Sequence, residues 1–148
     1  MATIVDPELH IEPVTGKPGQ RRVRVTYEIC TVENDVLLGS EISESVVVHS
    51  VDLHDATSRP RPLNLTMDHT GMVAGPGAVR RTLSKDVNRV DLDVQQDWWR
   101  TDHGGGVLPI AEFPDHVMAE ITMTKDGQIV AEAATPVVNG SWGALGDD

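Results

Sequence analysis

Residues 21–30 alternate strictly between apolar and polar side chains, and this alternation constrains the fold more than any other feature of the chain. The apolar set is Val23, Val25, Tyr27 and Ile29. Because successive side chains of a β-strand point to opposite faces of a sheet, a period of two predicts a strand with one buried and one solvated face. The intervening residues, Arg22, Arg24 and Glu28 among them, are predicted to form the solvated face.

A second alternating pattern surrounds the turn sequence Lys125-Asp126-Gly127. Gly127 can adopt a positive φ, which tight hairpin turns require. The flanking residues therefore predict a β-hairpin. Its apolar faces are Val117, Ala119, Ile121 and Met123 before the turn and Ile129, Ala131 and Ala133 after it.

Weaker patterns extend the strands over most of the chain. The long strand at 41–54 is predicted to turn Val47, His49, Val51 and Leu53 inward. The full set of best-supported strands is 21–30, 41–54, 89–94, 116–124 and 128–137, with a weak strand at 79–83, a turn or single helical turn at 84–86, and loops at 68–77 and 97–114.

The composition agrees with an all-β fold. Twenty residues are Val, a β-branched residue that suits a pleated surface, and thirteen Gly and nine Pro supply turns. We predict one antiparallel β-sandwich of seven to eight strands, immunoglobulin-like or related, with a small β-barrel as the alternative. The domain is predicted to span 1–138, and 139–148 to form a short, acidic and poorly ordered C-terminal tail, in which Trp142 is a candidate for docking on the domain.

The net charge of −11 argues against two classes of partner. Nucleic acids and anionic membranes both need Lys and Arg for binding, so neither is expected here. A basic partner or a cation would suit the charge better. Residues 1–20 lack the basic and apolar regions of a signal peptide, so a cytoplasmic location is expected. The single Cys30 excludes an internal disulfide framework and a cysteine-rich zinc site.

Four of the six histidines stand next to an aspartate. Imidazole and carboxylate groups together can bind a divalent metal ion. The four histidines lie in or beside predicted loops, which can converge at one end of a sandwich. They are therefore candidate metal ligands, with Asp68 or Asp102 in support; the alternative is that polar residues simply cluster in loops. The candidate ligands are His54, His69, His103 and His116.

The segment 97–114 is the candidate binding region. It contains Trp98 and Trp99, two of only five aromatic residues, followed by His103 and three glycines. An exposed Trp is a typical anchor for a partner or a sugar ring. The alternative is that the two rings only cover one end of the sandwich.

These observations favour a non-catalytic interaction or assembly module over an enzyme. The sequence His103-Gly104-Gly105-Gly106 resembles an esterase oxyanion motif, but no Gly-x-Ser-x-Gly nucleophile sequence accompanies it. The partner is expected to be a protein or a second copy of the chain, paired through the edge strand that contains Pro13. No cofactor is expected in this case. The alternatives are a metal-binding protein or metal-dependent enzyme, and a carbohydrate-binding module that uses Trp98 and Trp99.

Overall fold

The computed structural model describes residues 2–31, 39–51, 63–72, 76–94, 98–101, 107–111 and 114–143, and for residues 72, 98–101 and 107–111 it describes the backbone alone. The strands are β1 (Thr3–Val14), β2 (Lys17–Thr31), β3 (Glu41–Ser50), β4 (Asn64–Met72), β5 (Gly77–Asn88), β6 (Trp98–Thr101), β7 (Val107–Ala111), β8 (Asp115–Lys125), β9 (Gln128–Ala134) and β10 (Val138–Gly140), and a 3-10 helix covers Arg89–Leu92.

The strands form two main antiparallel sheets. The first sheet has the order β1-β2-β5. The second contains β4, β3 and β8 in that order, and β9 and β10 pair with successive parts of the far side of β8. Strands β6 and β7 form a separate two-stranded hairpin. The predicted all-β antiparallel sandwich is confirmed, with eight strands in the two main sheets.

The core lies between the inner faces of these two sheets. The first sheet contributes apolar side chains from β1 and β2, and the second from β3, β4 and β8. Burying a side chain such as Val or Ile contributes about 1.5–3 kcal/mol, so this shared core joins the sheets. Its members are Ala2, Leu9, Val23, Val25, Tyr27, Ile29, Ile42, Val46, Val48, Leu65, Met67, Leu92, Val94, Val117, Ala119, Ile121, Met123 and Trp142.

The β2 alternation and the β8–β9 hairpin are confirmed, except that Ile129, predicted to lie on the apolar face of β9, is 59% exposed. All four apolar residues of the 21–30 alternation are buried on β2. The hairpin between β8 and β9 closes over Asp126 and Gly127, whose φ angles are 53° and 78°. Positive φ at both central residues matches the right-handed twist of the two strands, which explains why this short turn fits here.

The inward face predicted for β3 is wrong by one residue. Val46 and Val48 are buried, whereas Val47 and His49 are only partly buried and lie on the opposite face. Both alternating sets contain apolar residues, so hydrophobicity alone does not separate them. The face of β3 that is buried also contains the charged residue Glu44 beside Val46. Partners from other strands compensate its charge there, among them Arg81.

Four further segments differ from their predictions. The predicted strand at 89–94 is largely the 3-10 helix, in which Val90 is 61% exposed. Residues 68–72 of the predicted loop at 68–77 belong to β4, and part of the loop at 97–114 forms the β6–β7 hairpin. The predicted turn at 84–86 lies inside β5, where unbroken pairing with β2 overrides the local turn signal.

The described residues after 138, the predicted domain boundary, continue the packing on the second sheet. Strand β10 pairs with β8 through Gly140, and Trp142 is buried. The Trp142 amide donates a hydrogen bond to Asp115, and Arg89 donates one to the Trp142 carbonyl. These contacts hold the segment after β10 on the core. No helix among the described residues is long and apolar enough to span a membrane.

Candidate functional site

The structure does not bring His69 and His116 together. His69 lies on β4 opposite Glu44 of β3, whereas the carbonyl of His116 on β8 accepts a hydrogen bond from Val51 just after β3. Glu44 and Val51 are seven positions apart, which is roughly 23 Å at about 3.3 Å per residue. Strands β4 and β8 also flank β3 on opposite sides. One metal ion therefore cannot contact both imidazoles.

The other predicted site residues are described only in part. His54 and His103 lie outside the described residues. The backbone of Trp98 and Trp99 forms β6, paired with β7, and their rings lie outside what the structure describes. Within the described ranges, no group of three or more His, Cys, Asp or Glu side chains is arranged to hold a metal ion.

A carboxylate inside the sandwich is the most unusual polar feature of the structure. Glu44 points inward from β3 between Ile42 and Val46, and its side chain is 0% exposed. A buried carboxylate is costly unless hydrogen bonds and opposite charge compensate for its lost hydration. The sequence gives no direct signal for Glu44, because Ser43 and Ser45 offer an equally good polar face.

Residues from both sheets compensate the charge of Glu44. The Tyr27 hydroxyl of β2 donates a hydrogen bond of 2.6 Å to Oε1. The Arg81 Nε of β5 lies 3.1 Å from both carboxylate oxygens, and His69 Nδ1 lies 3.3 Å from Oε2. We call Tyr27, Glu44, His69 and Arg81 the inter-sheet clamp, because its members connect β2 and β5 of the first sheet with β3 and β4 of the second.

The clamp has the chemistry of a structural connection. Burial raises the pKa of the Tyr27 phenol well above its ordinary value, and its hydrogen bond to Glu44 raises it further. Tyr27 is therefore a neutral donor at physiological pH. His69 is the most exposed member, and its ring packs over Gly71, where an added Cβ would lie 3.0 Å from Cε1. With Glu44 fully enclosed, its carboxylate is not available to a substrate.

A second set of charges lies on the outer face of the first sheet. Arg24 on β2 pairs with Glu12 on β1, and Arg22 pairs with Asp86 on β5 at 2.9 Å. Hydrogen bonds from the arginines lower the pKa values of Glu12 and Asp86. We call these four residues the outer ladder. Arg22 is exposed and Arg24 partly exposed on the predicted solvated face of β2, but Thr26 on the same face is only 2% exposed.

The two edges of the first sheet differ in regularity. Edge strand β1 has register shifts at Val5/Glu8 and Pro13/Val14, and Asp6 has a φ of 50°. Such bulges and prolines hinder the addition of another strand. This edge contains Pro13, as predicted, and it also contacts β9 of the second sheet. Pairing of another copy along β1 is therefore hindered by its own irregularities.

Edge strand β5 has no register shift, and its one positive φ is at its first residue, Gly77 (125°). All twelve of its residues pair with β2 in one unbroken register, from Asn88 opposite Gln20 to Gly77 opposite Thr31. The strand contains no proline, and Val79 is 48% exposed. Among the described residues, no strand pairs with the other side of β5. The backbone groups on that side therefore form a long, regular edge.

Comparisons with known proteins identify the fold. No protein-family model and no curated protein matches the chain. A glycosyl hydrolase family 2 member from Bacteroides cellulosilyticus DSM 14838 matches 95% of this chain with a TM-score of 0.54 at 8% identity. A second structure of a glycosyl hydrolase family 2 member from Bacteroides cellulosilyticus gives a TM-score of 0.55 at 8% identity, again over 95% of this chain.

The similarity is confined to a small part of those proteins. This chain spans 15% and 14% of the length of the two matching chains. At such low identity, the likeness establishes the β-sandwich fold and carries no residue-level correspondence. The immunoglobulin-like subtype stays a prediction.

Proposed function

We propose that this chain is a non-catalytic assembly module that binds other polypeptides by adding a strand to the open edge of β5. The observation that carries this proposal is the twelve-residue register of β5 with β2, which leaves a continuous row of backbone donors and acceptors facing the other way. When a peptide adds a strand to a sheet edge, backbone hydrogen bonds to such a row provide affinity, and alternating side chains provide specificity.

The side chains of β5 are compatible with a partner at this edge. The strand contains Arg80, Arg81 and Lys85 but only one acid, Asp86, in a chain of net charge −11. Lys85 and Arg80 are exposed, so they are available to a strand alongside. This basic character contrasts with the net negative charge of the whole chain.

The comparison with solved structures supports a modular role. In the glycosyl hydrolase family 2 structures, a sandwich of this fold is a small part of a much longer chain. A domain of this kind can contribute contacts without contributing catalytic residues. The metal-site and carbohydrate-binding hypotheses stay predictions, since His54, His103 and the rings of Trp98 and Trp99 lie outside the described side chains.

A peptide copied from β2 provides a direct test. Residues 20–31 already pair with one side of β5, and the same register on the other side would place Glu28 opposite the exposed Arg80. A labelled peptide of this sequence with Cys30→Ser is titrated with the intact protein by fluorescence anisotropy. The control peptide also contains Val25→Pro and Tyr27→Pro, which prevent strand pairing. We expect the control to bind at least about tenfold more weakly.

Two proline variants of the protein locate the binding edge. Ser84 and Lys85 are both exposed, and their backbone N–H groups point to opposite sides of β5 because adjacent residues alternate in the ladder. One of the two variants, Ser84→Pro or Lys85→Pro, therefore disrupts pairing with β2. Thermal unfolding shows which one, because that variant is destabilised. The other variant should keep the stability of the wild-type protein and should no longer bind the peptide. If that stable variant still binds the peptide, or if the wild-type protein does not, the proposal fails.

A further inference from the structure

We infer that the strand added to β5 is the β5 of a second copy of this chain, paired antiparallel about a two-fold axis at Leu83. This inference rests on the proposed function, because it needs the β5 edge to accept a strand. It adds the identity of the partner and the register of pairing. The product would be a continuous six-stranded sheet built from the three-stranded sheets of two copies.

The sequence of β5 is complementary to itself in this register. Directly opposite residues of antiparallel strands lie on the same face of the sheet, so a symmetric pair must be centred on a residue. With Leu83 at the centre, Arg80 of each copy lies opposite Asp86 of the other. The remaining pairs are Thr82 with Ser84, Val79 with Val87, Ala78 with Asn88, Arg81 with Lys85, and Leu83 with itself.

The neighbouring registers lack this complementarity. Centring the pair on Thr82 places Arg80 opposite Ser84, and centring it on Ser84 places Arg80 opposite Asn88. Neither arrangement brings opposite charges together. Because symmetry doubles every contact, the Leu83-centred register gains two Arg80–Asp86 pairs. Opposite charges directly across a sheet stabilise pairing, whereas like charges oppose it.

Contacts within each copy favour the same register. Arg22 already binds both oxygens of Asp86, at 2.9 and 3.4 Å, so the carboxylate is held on the outer face of β5. A carboxylate can accept further hydrogen bonds, which leaves room for Arg80 of the second copy. The unfavourable pairing of Arg81 with Lys85 is reduced because Arg81 is bound to Glu44 of its own copy.

Apolar residues on the inner side of the edge would also be covered. Leu83 and Val87 are partly buried, and Val79 is exposed. In the proposed pair, Leu83 meets its own symmetry mate and Val79 meets Val87. Apolar and β-branched pairs across strands add to stability. On the inner face of the proposed pair, these apolar contacts therefore alternate with the two Arg81–Lys85 pairs, and the Arg80–Asp86 pairs lie on the outer face.

Exchanging the charges of Arg80 and Asp86 tests both the identity of the partner and the register of the proposed β5–β5 pair. Arg80→Asp places Asp opposite Asp86 twice, and Asp86→Arg places Arg opposite Arg80 twice. Each variant alone should raise the dimer dissociation constant by about tenfold or more, measured by sedimentation velocity. An equal mixture of the two variants restores opposite charges at both positions, so it should form a heterodimer. The double variant should again form a homodimer.

A matched control variant separates the effect of charges at the β5–β5 contact from the effect of a changed net charge. Arg24→Asp changes the net charge as Arg80→Asp does, on the same face but on β2, one strand away from the β5 edge, and should leave the dimer intact. Measurements near physiological ionic strength reduce the repulsion between two copies of charge −11. Thermal unfolding of each variant checks that the sandwich is folded.

The outcomes distinguish this inference from the proposed function. A wild-type protein that stays monomeric at its highest soluble concentration overturns self-pairing, yet the strand-addition function stands if the β2 peptide binds. A wild-type protein that stays monomeric and does not bind the β2 peptide overturns both the self-pairing and the strand-addition proposals. A dimer that resists Arg80→Asp and Asp86→Arg, or a mixture that does not associate, overturns the Leu83-centred register.

Discussion

The inter-sheet clamp and the outer ladder use the same residue types in opposite surroundings. In the clamp, Arg81 binds Glu44, whose side chain is 0% exposed. In the ladder, Arg24 binds Glu12, whose side chain is 42% exposed. Water competes for the charges of the ladder but cannot reach Glu44. The comparison teaches that the contribution of an ion pair depends on how completely its charges have been removed from solvent.

The two groups also connect different parts of the fold. The ladder joins neighbouring strands of one sheet, which backbone hydrogen bonds already hold together. The clamp joins two sheets that share no backbone hydrogen bonds within the described residues. Loss of a ladder residue therefore leaves its strands paired. Loss of Glu44 leaves Tyr27 and Arg81 without their common partner at the sheet interface.

The largest expected difference follows from removing one acid from each group. Glu44→Ala leaves Arg81 and Tyr27 without their shared acceptor in the interior and should lower the free energy of unfolding by about 3–5 kcal/mol. Glu12→Ala, its matched control, should change stability little, because water replaces the lost partner. Urea unfolding measures both. Similar losses for the two variants would contradict the comparison.

Replacing both charges of the clamp sharpens the comparison. Glu44→Leu and Arg81→Leu should each destabilise strongly, since each leaves an uncompensated charge. The double variant leaves neither, so its loss should be smaller than the sum of the single losses by up to about 3 kcal/mol. A double-mutant cycle in urea gives this coupling free energy. The cycle for Glu12→Leu and Arg24→Leu serves as the control, and additivity in both cycles would count against a special role for burial.

The phenol of Tyr27 makes burial in the clamp directly visible. Tyr27 is the single tyrosine, so the rise in absorbance near 295 nm reports its ionisation alone. An ordinary tyrosine ionises near pH 10. Because the folded pKa is raised, Tyr27 should stay neutral in the folded protein at this pH and ionise only as the protein unfolds.

The same shift predicts how stability depends on pH. A raised folded pKa gives a contribution that is complete below about pH 10 and is lost at higher pH, where the unfolded phenol ionises. Tyr27→Phe should cost about 1.5 kcal/mol at neutral pH through the lost hydrogen bond, and should remove this part of the alkaline slope. Ionisation near pH 10 without unfolding, followed by circular dichroism, would show that the phenol is not protected.

The smallest expected effects concern the outer ladder. Arg24 holds the pKa of Glu12 below its ordinary value, so Arg24→Ala should raise that pKa toward the ordinary value. The contribution to stability is present above the ordinary carboxyl pKa and is lost as the pH falls through the lowered one. Carboxyl titration by NMR measures the shift, which salt should reduce. Arg22→Ala should act in the same way on Asp86, and a shift insensitive to salt would indicate burial.

Strands were predictable from the sequence where one alternating set was clearly apolar. Strands β2 and β8 meet this condition, and their buried faces were identified correctly. On β9 the prediction was wrong for Ile129, which is 59% exposed, whereas Val130 packs against the core beside the register shift between β8 and β9. Strand β3 does not, because Val46 and Val47 belong to opposite sets and a glutamate occupies the buried one. Strand β5 continues through a polar stretch that reads as a turn, because pairing with β2 outweighs local preference.

The candidate site was less predictable for a physical reason. The clamp joins Tyr27, Glu44, His69 and Arg81 from four strands, and no local spacing relates them. A pattern search finds residues that are close in sequence, such as the Asp-His pairs. Asp68 and His69 show the limit of that approach, because neighbouring residues on β4 face opposite sides of the sheet. The position of β5 at a sheet edge likewise depends on which strands pair with each other. The composition does not reveal that pairing.

Gly140 has a consequence for how this protein can diverge. The Trp142 indole occupies the space beside Gly140, where an added Cβ would overlap the ring. Any side chain at position 140 would therefore displace Trp142 from the core. As related sequences drift apart, positions 140 and 142 should change together or not at all. Such a linked pair, close in sequence and buried at the end of β10, could identify relatives that overall identity no longer reveals.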